Sequence, residues 1–488
     1  MNQKDIAIVF DCGATNVRVI AMDKSGKQLA SHALPNEIDE DPHYPGGRIW
    51  DLDKLWQKLV SAAKHVTAEI DCNRIAGATV TTFGVDGAFV DAQGELLYPV
   101  ISWQCERTTP IMANIEKYIP LTELYKTSGV FPYAFNTINK MIWFRENRPD
   151  VLENAHRFLF IPSLLINRLS GAFRNDATMM GTAMMADLKS RKMSPKILKA
   201  IGVQSELFGE IGEPGNQAGI ITEYAASETG LPKDTPLFLA GHDTQFAIYG
   251  SGAKLNHPVL SSGTWEILMV RSKSFKATTA ELKRGLTNEM DVIPGIVDIG
   301  QNWLGSGVLE WFSNKFYKEY TGDELYQKMI SDAEIEEPGS GGVVVEPAFF
   351  TDGFEKGSGA IKGLTLSTNR SQIYRAFLES LAFRLREGLE SLELAGNFKA
   401  ENIICVGGGS KNRLWNQLRA DVCNIPIQLI DQKETTVLGA SLFVFNGAGL
   451  YSSFDDALKS VSYNSQTIYP SDNSGFYDRY YNKYQKLN

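Results

Sequence analysis

At 488 residues, 43% of them hydrophobic and 22% charged, the chain is too long for one core and has the composition of a globular protein with two large domains. Its 57 Asp and Glu against 48 Lys and Arg give a net charge of −9, which argues against a nucleic-acid partner, since phosphate backbones call for a basic face. No stretch reaches the roughly 18–20 uncharged apolar residues of a membrane span; the opening MNQKDIAIVFD lacks a secretory-leader pattern, and five scattered cysteines form no disulfide framework, so the cytoplasm is the expected compartment.

The chain opens with strand IAIVFD, the turn CGATN and strand VRVIAM. A Gly-Thr turn between two apolar strands frees several backbone N–H groups and a hydroxyl at one point, which suits phosphate oxygens. Gly13, Ala14, Thr15, Asn16 and Arg18 are therefore the expected phosphate contacts. Asp11 ends the strand beside them and can hold Mg²⁺, usually through water. In LDKLWQKLVSAAKHV, Leu52, Leu55, Trp56, Leu59 and Ala63 recur on one helical face. Strand Ile75–Gly84 follows and leads into TTFGVDG. There Gly84 allows close approach of a small polyol and Asp86 can bond its hydroxyls, although Asp-Gly is equally a turn signal.

A mostly helical stretch runs from Thr108 to Leu207, and strand PLFLAG (Pro236–Gly241) then ends in His242 and Asp243. Side chains at such strand ends commonly face a cleft. Asp243, with an ordinary carboxylate pKa near 4, is the acid/base candidate; capping the following helix is the competing role. His242 is assigned substrate contact only. The lobe boundary is set near Ala247, dividing the chain into residues 1–246 and 247–488.

The second lobe repeats the plan. LSSGTWEI (Leu260–Ile267) again places a Gly-Thr turn, Gly263-Thr264, between apolar strands. After a long helix, Ser371–Leu394, strand NIICV enters the glycine turn VGGGSKN. Gly407, Gly408 and Gly409 remove side chains where a nucleoside must approach backbone, and Asn412 stands at the next helix start. ETTVLGASLFVFNGAG (Glu434–Gly449) is a small-residue helix suited to close packing, and Tyr477, Tyr480, Tyr481 and Tyr484 recur at helical spacing as a docking stripe. Walker A, G-x-G-x-x-G and H-E-x-x-H are absent. The pattern is a duplicated α/β fold whose lobes grip one nucleotide across a cleft, with phosphoryl transfer as the chemistry.

Together these strings resemble the FGGY carbohydrate kinases. DCGATNVR is similar to that family's first phosphate motif, SSGTWE to the second, VGGGSKN to the adenosine motif, and AGHDTQ to the segment carrying the catalytic base, which makes Asp243 the implied base. The resemblance covers roughly Ile6 to Gly449. It implies the two-lobed actin/hexokinase/Hsp70-like (ribonuclease H-like) fold, ATP and Mg²⁺ or another divalent cation, and a sugar pocket lined by Gly84, His242, Asp243 and Asn302. Phe83 in TTFGVDG, and Cys105 in Trp103-Gln-Cys-Glu-Arg107 where many relatives carry Asp, resemble the pattern of the members that act on L-fuculose. The implied reaction is phosphorylation of its 1-hydroxyl, with Phe83 in the sugar site and Cys105 removing a hydroxyl acceptor. Glu310 takes the place of a nucleotide-contacting Gln in rhamnulokinases and is given no role. L-rhamnulose, D-ribulose and D-xylulose remain alternative acceptors, and an actin- or Hsp70-like ATPase remains the alternative outside sugar kinases. Monomer and homodimer are both open.

Overall fold

The computed structural model describes residues 4–348 and 358–485. Strand β1 (Ile6–Cys12) is buried along its whole length, which explains the apolar run Ile6–Phe10 ahead of Asp11: a strand covered on both faces has no polar side to alternate with. It pairs antiparallel with β2 (Asn16–Asp23), which pairs with β3 (Gln28–Pro35). Helix α1 (Leu52–Glu69) starts where the Asp51 carboxylate accepts from the backbone N–H of Asp53 and Lys54, and it buries the stripe from Leu52 to Val66. On its other edge β1 pairs parallel with β4 (Ile75–Thr82). Helices α2 (Thr137–Asn147) and α3 (Ala177–Thr182) belong to the excursion that follows. Strands β5 (Gln217–Ile220) and β6 (Pro236–His242) complete a six-stranded sheet of order β5-β6-β4-β1-β2-β3. The last strand runs directly into α4 (Asp243–Gly250), so residue 247 lies inside a helix.

The second sheet is built the same way. Strands β7 (Val259–Ser262) and β8 (Trp265–Ser272) flank the second Gly-Thr turn, and β9 (Thr287–Met290) and β10 (Val297–Leu304) extend the antiparallel edge. Helix α5 (Ser306–Phe316) and the long α6 (Arg370–Gly396) precede β11 (Ile403–Val406), which pairs parallel with β7. Helix α7 (Arg413–Cys423), β12 (Ile427–Ile430), α8 (Thr435–Gly447), β13 (Ser465–Ile468) and α9 (Ser474–Tyr484) follow. The order β9-β10-β8-β7-β11-β12-β13 repeats the first sheet: an antiparallel meander on one side of the opening strand, and on the other two parallel pairings closed by an antiparallel edge strand.

Helix α8 packs on the first sheet rather than the second. Its Val437, Leu438 and Phe443 join Val9, Ile20, Ala240 and Phe246 in one buried cluster. The crossing with α4 is close because both helices carry glycine there: a Cβ on Gly250 would stand 2.7 Å from the Gly439 nitrogen. Tyr477, Tyr481 and Tyr484 of α9 are buried, and the rings of Tyr480, Tyr481 and Tyr484 gather about Phe383 of α6. Among the described residues no helix is long and apolar enough to cross a membrane.

Candidate active site

Two adjoining cavities meet at the β6–α4 junction. The larger, of about 290 Å³, is lined from the first lobe by Phe83, Gly84, Trp103, Tyr133 and His242, and from the second by Ile267, Met269, Glu289 and Asn302. The smaller, of about 210 Å³, reaches Ser261 and Val406, next to the second and third glycine turns, and Thr436 of α8. Both share one wall, formed by Asp243, Thr244, Ile267 and Met269.

Asp243 is the first residue of α4 and makes no cap: the capping position is His242, with no side-chain bond to the helix. Its carboxylate is 32% exposed and accepts from the Thr244 hydroxyl at 3.2 Å. Burial pushes the group up to about 6, partly offset by bonds from Thr244, and so well above the ordinary value the sequence implied. Such a group is still ionised at neutral pH yet closer to it, which favours a general base.

His242 lies over Gly84: a Cβ there would stand 2.9 Å from its Nε2. Gly84 therefore makes room for the histidine as well as for a ligand. His242 Nε2 faces Asp243 at 3.4 Å, Nδ1 faces Glu289 at 3.8 Å, and burial holds the ring below the usual histidine range. Phe83 packs on Trp50 with ring centroids 4.8 Å apart, and Asn302 accepts from the Tyr133 hydroxyl.

Asp86 is not at the cavity surface. It is fully buried; one oxygen accepts from Trp50 Nε1 at 2.7 Å and the Trp103 N–H at 3.0 Å, and the other accepts from Lys140 of α2. Its Asp-Gly pair is not a hairpin turn either. The bend comes earlier, at Val85, held at φ +64° by the Thr182 hydroxyl on its N–H and by Thr137 and Lys140 on its carbonyl. A β-branched residue in that region stays only where its surroundings over-determine it. Asp86 thus anchors Trp50 and Trp103 and lies outside the lining of the larger cavity. Cys105 is likewise outside the lining; its sulfur accepts from Arg107 Nε at 3.1 Å, and Arg107 in turn pairs with buried Asp41. Its contact in the structure is thus with an arginine.

At the first two glycine turns, Thr15, Asn16 and Thr264 stand in solvent while Gly13 closes its turn by an N–H bond to the Asn16 carbonyl. The carbonyls of Gly263 and Thr264 receive N–H groups from Ser306, Gly305 and Gly307, tying the second turn to the start of α5. Arg18 is not a free phosphate donor: it holds Asp11 through Nε at 3.0 Å and Glu434 through Nη1 at 2.9 Å. Burial raises Asp11 to about 6, and nearby Asp243 and Glu434 push the same way.

Two of the three glycines in the third turn serve packing. Cβ atoms on Gly407 and Gly409 would run into Ser262, whereas one on Gly408 meets nothing within 4 Å. Asn412 caps α7 through Trp415 N–H and donates to the Tyr374 hydroxyl at 3.0 Å. Beneath these turns Glu266 and Arg419, both fully buried, pair with each other and with the Ser262 hydroxyl.

Sequence reasoning missed Tyr133, Asn136, Thr182, Thr287, Glu289 and Gln301 of the larger cavity. They come from loops, strands and the end of α3, spread from residue 133 to 301 with no common spacing; the aromatic cluster Phe131–Phe135 is the one local hint.

The FGGY family of carbohydrate kinases matches twice, its N-terminal domain over residues 6–250 and its C-terminal domain over residues 259–445. The chain is 43% identical to L-fuculokinase of Escherichia coli (strain K12) over 96% of its own length and 98% of that protein. It is 41% identical to L-fuculokinase of Haemophilus influenzae over 96% and 100%. In structure it resembles xylulose kinase from Rhodospirillum rubrum, with a TM-score of 0.89 at 21% identity, covering 99% and 98% of the two chains. The repeated sheets, the glycine turns of both lobes and the carboxylate between two cavities thus have one common source: the chain belongs to the FGGY family of carbohydrate kinases.

Proposed function

We propose that this carbohydrate kinase transfers the γ-phosphoryl group of ATP to the 1-hydroxyl of L-fuculose, giving L-fuculose 1-phosphate and ADP, with Asp243 as general base. The observation that carries the reaction is the position of Asp243 in the wall common to both cavities, where an acceptor on one side meets a phosphate on the other. The choice of ketose is supported by identity of 41–43% to L-fuculokinases over nearly the whole chain. The cavity suits it chemically. Phe83, Trp103, Val130, Phe135 and Ile267 offer an apolar wall for a methyl group, and no Lys or Arg is present among the lining residues to pair with an anionic acceptor.

In this mechanism the ketose occupies the larger cavity with its 1-hydroxyl at Asp243. The nucleotide lies against the second lobe, its adenosine at Gly408 and its phosphates between the turns of Thr15 and Thr264. Asp243 takes the hydroxyl proton as oxygen attacks phosphorus in line and the bond to the ADP oxygen breaks. His242, neutral through burial, orients Asp243 and the sugar without competing for that proton.

Among the described residues no three His, Cys, Asp or Glu side chains converge to hold a metal ion. Asp11 nonetheless suits the outer ligand of a cation carried mainly by phosphate and water. Both of its bonds from Arg18 fall on Oδ2, and its burial beside other carboxylates would be relieved by a dication. Bound there, Mg²⁺ would neutralise charge on the transferring phosphates.

The test is ADP release with Mg-ATP against L-fuculose, L-rhamnulose, D-ribulose, D-xylulose and no sugar. A clear kcat/KM lead for L-fuculose is expected. A lead for another ketose overturns the substrate, and equal turnover without sugar overturns the kinase reading.

A further inference from the structure

The larger cavity contains a second carboxylate that the reaction above does not use. Glu289, on β9, lines that cavity with 14% of its side chain exposed. Its Oε2 accepts from Gln245 Nε2 at 2.5 Å and its Oε1 from the Thr287 hydroxyl at 3.3 Å. Both donors are neutral. The ionisable groups beside it are His242, which burial keeps neutral, and the buried Asp298 opposite it on β10, so no cation answers its charge among the described residues. Beside it, His242 Nδ1 and Gln245 Oε1 are buried and make no hydrogen bond of good geometry, although the two side chains interact with each other.

A carboxylate has about four acceptor sites, and an enclosed one with unmet sites is costly to keep ionised. Hydroxyl groups are the donors such a wall lacks, and a polyol brings several. The geometry also sets which of them Glu289 can meet. His242 stands between the two acids, with Nε2 toward Asp243 and Nδ1 toward Glu289. An imidazole therefore separates the carboxylates, and a sugar whose reacting hydroxyl is at Asp243 presents a different hydroxyl to Glu289.

Building on the kinase reading above, we propose that Glu289 is a specificity-determining residue of the acceptor site, accepting hydrogen bonds from sugar hydroxyls other than the one that reacts. Gln245, fully buried on α4, is its positioning residue. A site that satisfies buried acceptors with substrate hydroxyls discriminates strongly, because a ligand that fails to supply them leaves those acceptors unpaired.

The experiment compares wild type with Glu289→Gln, which keeps size and removes the charge, and Glu289→Asp, which keeps the charge but withdraws it. KM for the ketose, KM for ATP, kcat and the unfolding midpoint are measured for each on the ketose that wild type uses best. The expected result is a rise in ketose KM of at least tenfold in both variants, with KM for ATP and the unfolding midpoint unchanged. Ketose KM within twofold of wild type overturns the inference, as does a rise in both KM values together. If wild type prefers a ketose other than L-fuculose, the substrate reading fails while this comparison still decides on Glu289. If it phosphorylates no ketose, both fail.

Discussion

Replacing Asp243 by Asn separates two consequences of burying a carboxylate at a reaction centre. The substitution preserves shape and removes the proton acceptor. A positioned general base typically contributes 10²–10⁴-fold, so kcat should fall by about that factor, or ~3–5 kcal/mol in the barrier. KM for ATP and for the sugar should stay near wild type. Burial also makes the ionised aspartate a liability to the fold. Its rise from an ordinary 3.8 to about 6 corresponds at most to ~3 kcal/mol. Because 32% of the side chain is exposed, solvent screening reduces this to ~1–2 kcal/mol.

The sign follows from the raised native pKa. The penalty is full above the native value of about 6 and absent below the unfolded value near 4, since at low pH the group is protonated in both states. Asp243→Asn should therefore melt higher than wild type at pH 8, by about 1–3 °C, and the gap should close by pH 4–5. Coupled ADP release gives kcat, and ligand-free thermal melts at pH 8 and pH 5 give the stability arm. A kcat within tenfold of wild type would falsify the base assignment. An equal melting difference at both pH values would refute the electrostatic argument.

Wild-type kcat/KM should fall below about pH 6, by about tenfold per pH unit through protonation of Asp243 alone and approaching a hundredfold if Asp11 must be ionised as well, and a flat profile down to pH 5 would count against both roles. Asp11→Asn should steepen the Mg²⁺ requirement; an unchanged Mg²⁺ titration of activity rules out its metal role. Gly407→Ala should lower stability by ~1–3 kcal/mol, because φ is +89° and a Cβ would stand 2.6 Å from the Ser262 carbonyl. Gly408→Ala meets no protein atom within 4 Å and should leave the melt unchanged while raising KM for ATP; an unchanged KM would remove Gly408 from the nucleotide site. Lys140→Met strands Asp86 without its buried partner and should cost ~3–5 kcal/mol in urea unfolding. A loss under 1 kcal/mol would show that Asp86 is protonated or otherwise satisfied.

The sequence alone determined the elements whose physics is local. Short continuous apolar runs such as Ile6–Phe10 and Leu237–Gly241, bounded by turn residues, read as strands buried on both faces, and the turns at Gly13 and Gly263 are visible because glycine and threonine interrupt the apolar pattern. Their repetition half a chain apart carried the duplication, and the end of a buried strand singled out Asp243. The small-residue stretch 434–449 likewise announced a close crossing, which Gly250 and Gly439 make.

The tertiary structure alone decided what each polar side chain faces. Asp86 and Arg18 have the residue types of ligand contacts, yet their charges are spent on Lys140 and on Asp11 with Glu434. Cys105 read as a lost sugar contact and proves to be an arginine's acceptor. Glu289 had no motif around it, because its place in the cavity comes from the pairing of β9 with β10 and from the approach of α4, contacts between segments distant in sequence. Spacing along a chain reports periodicity within one element; which charges meet, and which are left for a ligand, depends on how separate elements pack, and that is set by the fold as a whole.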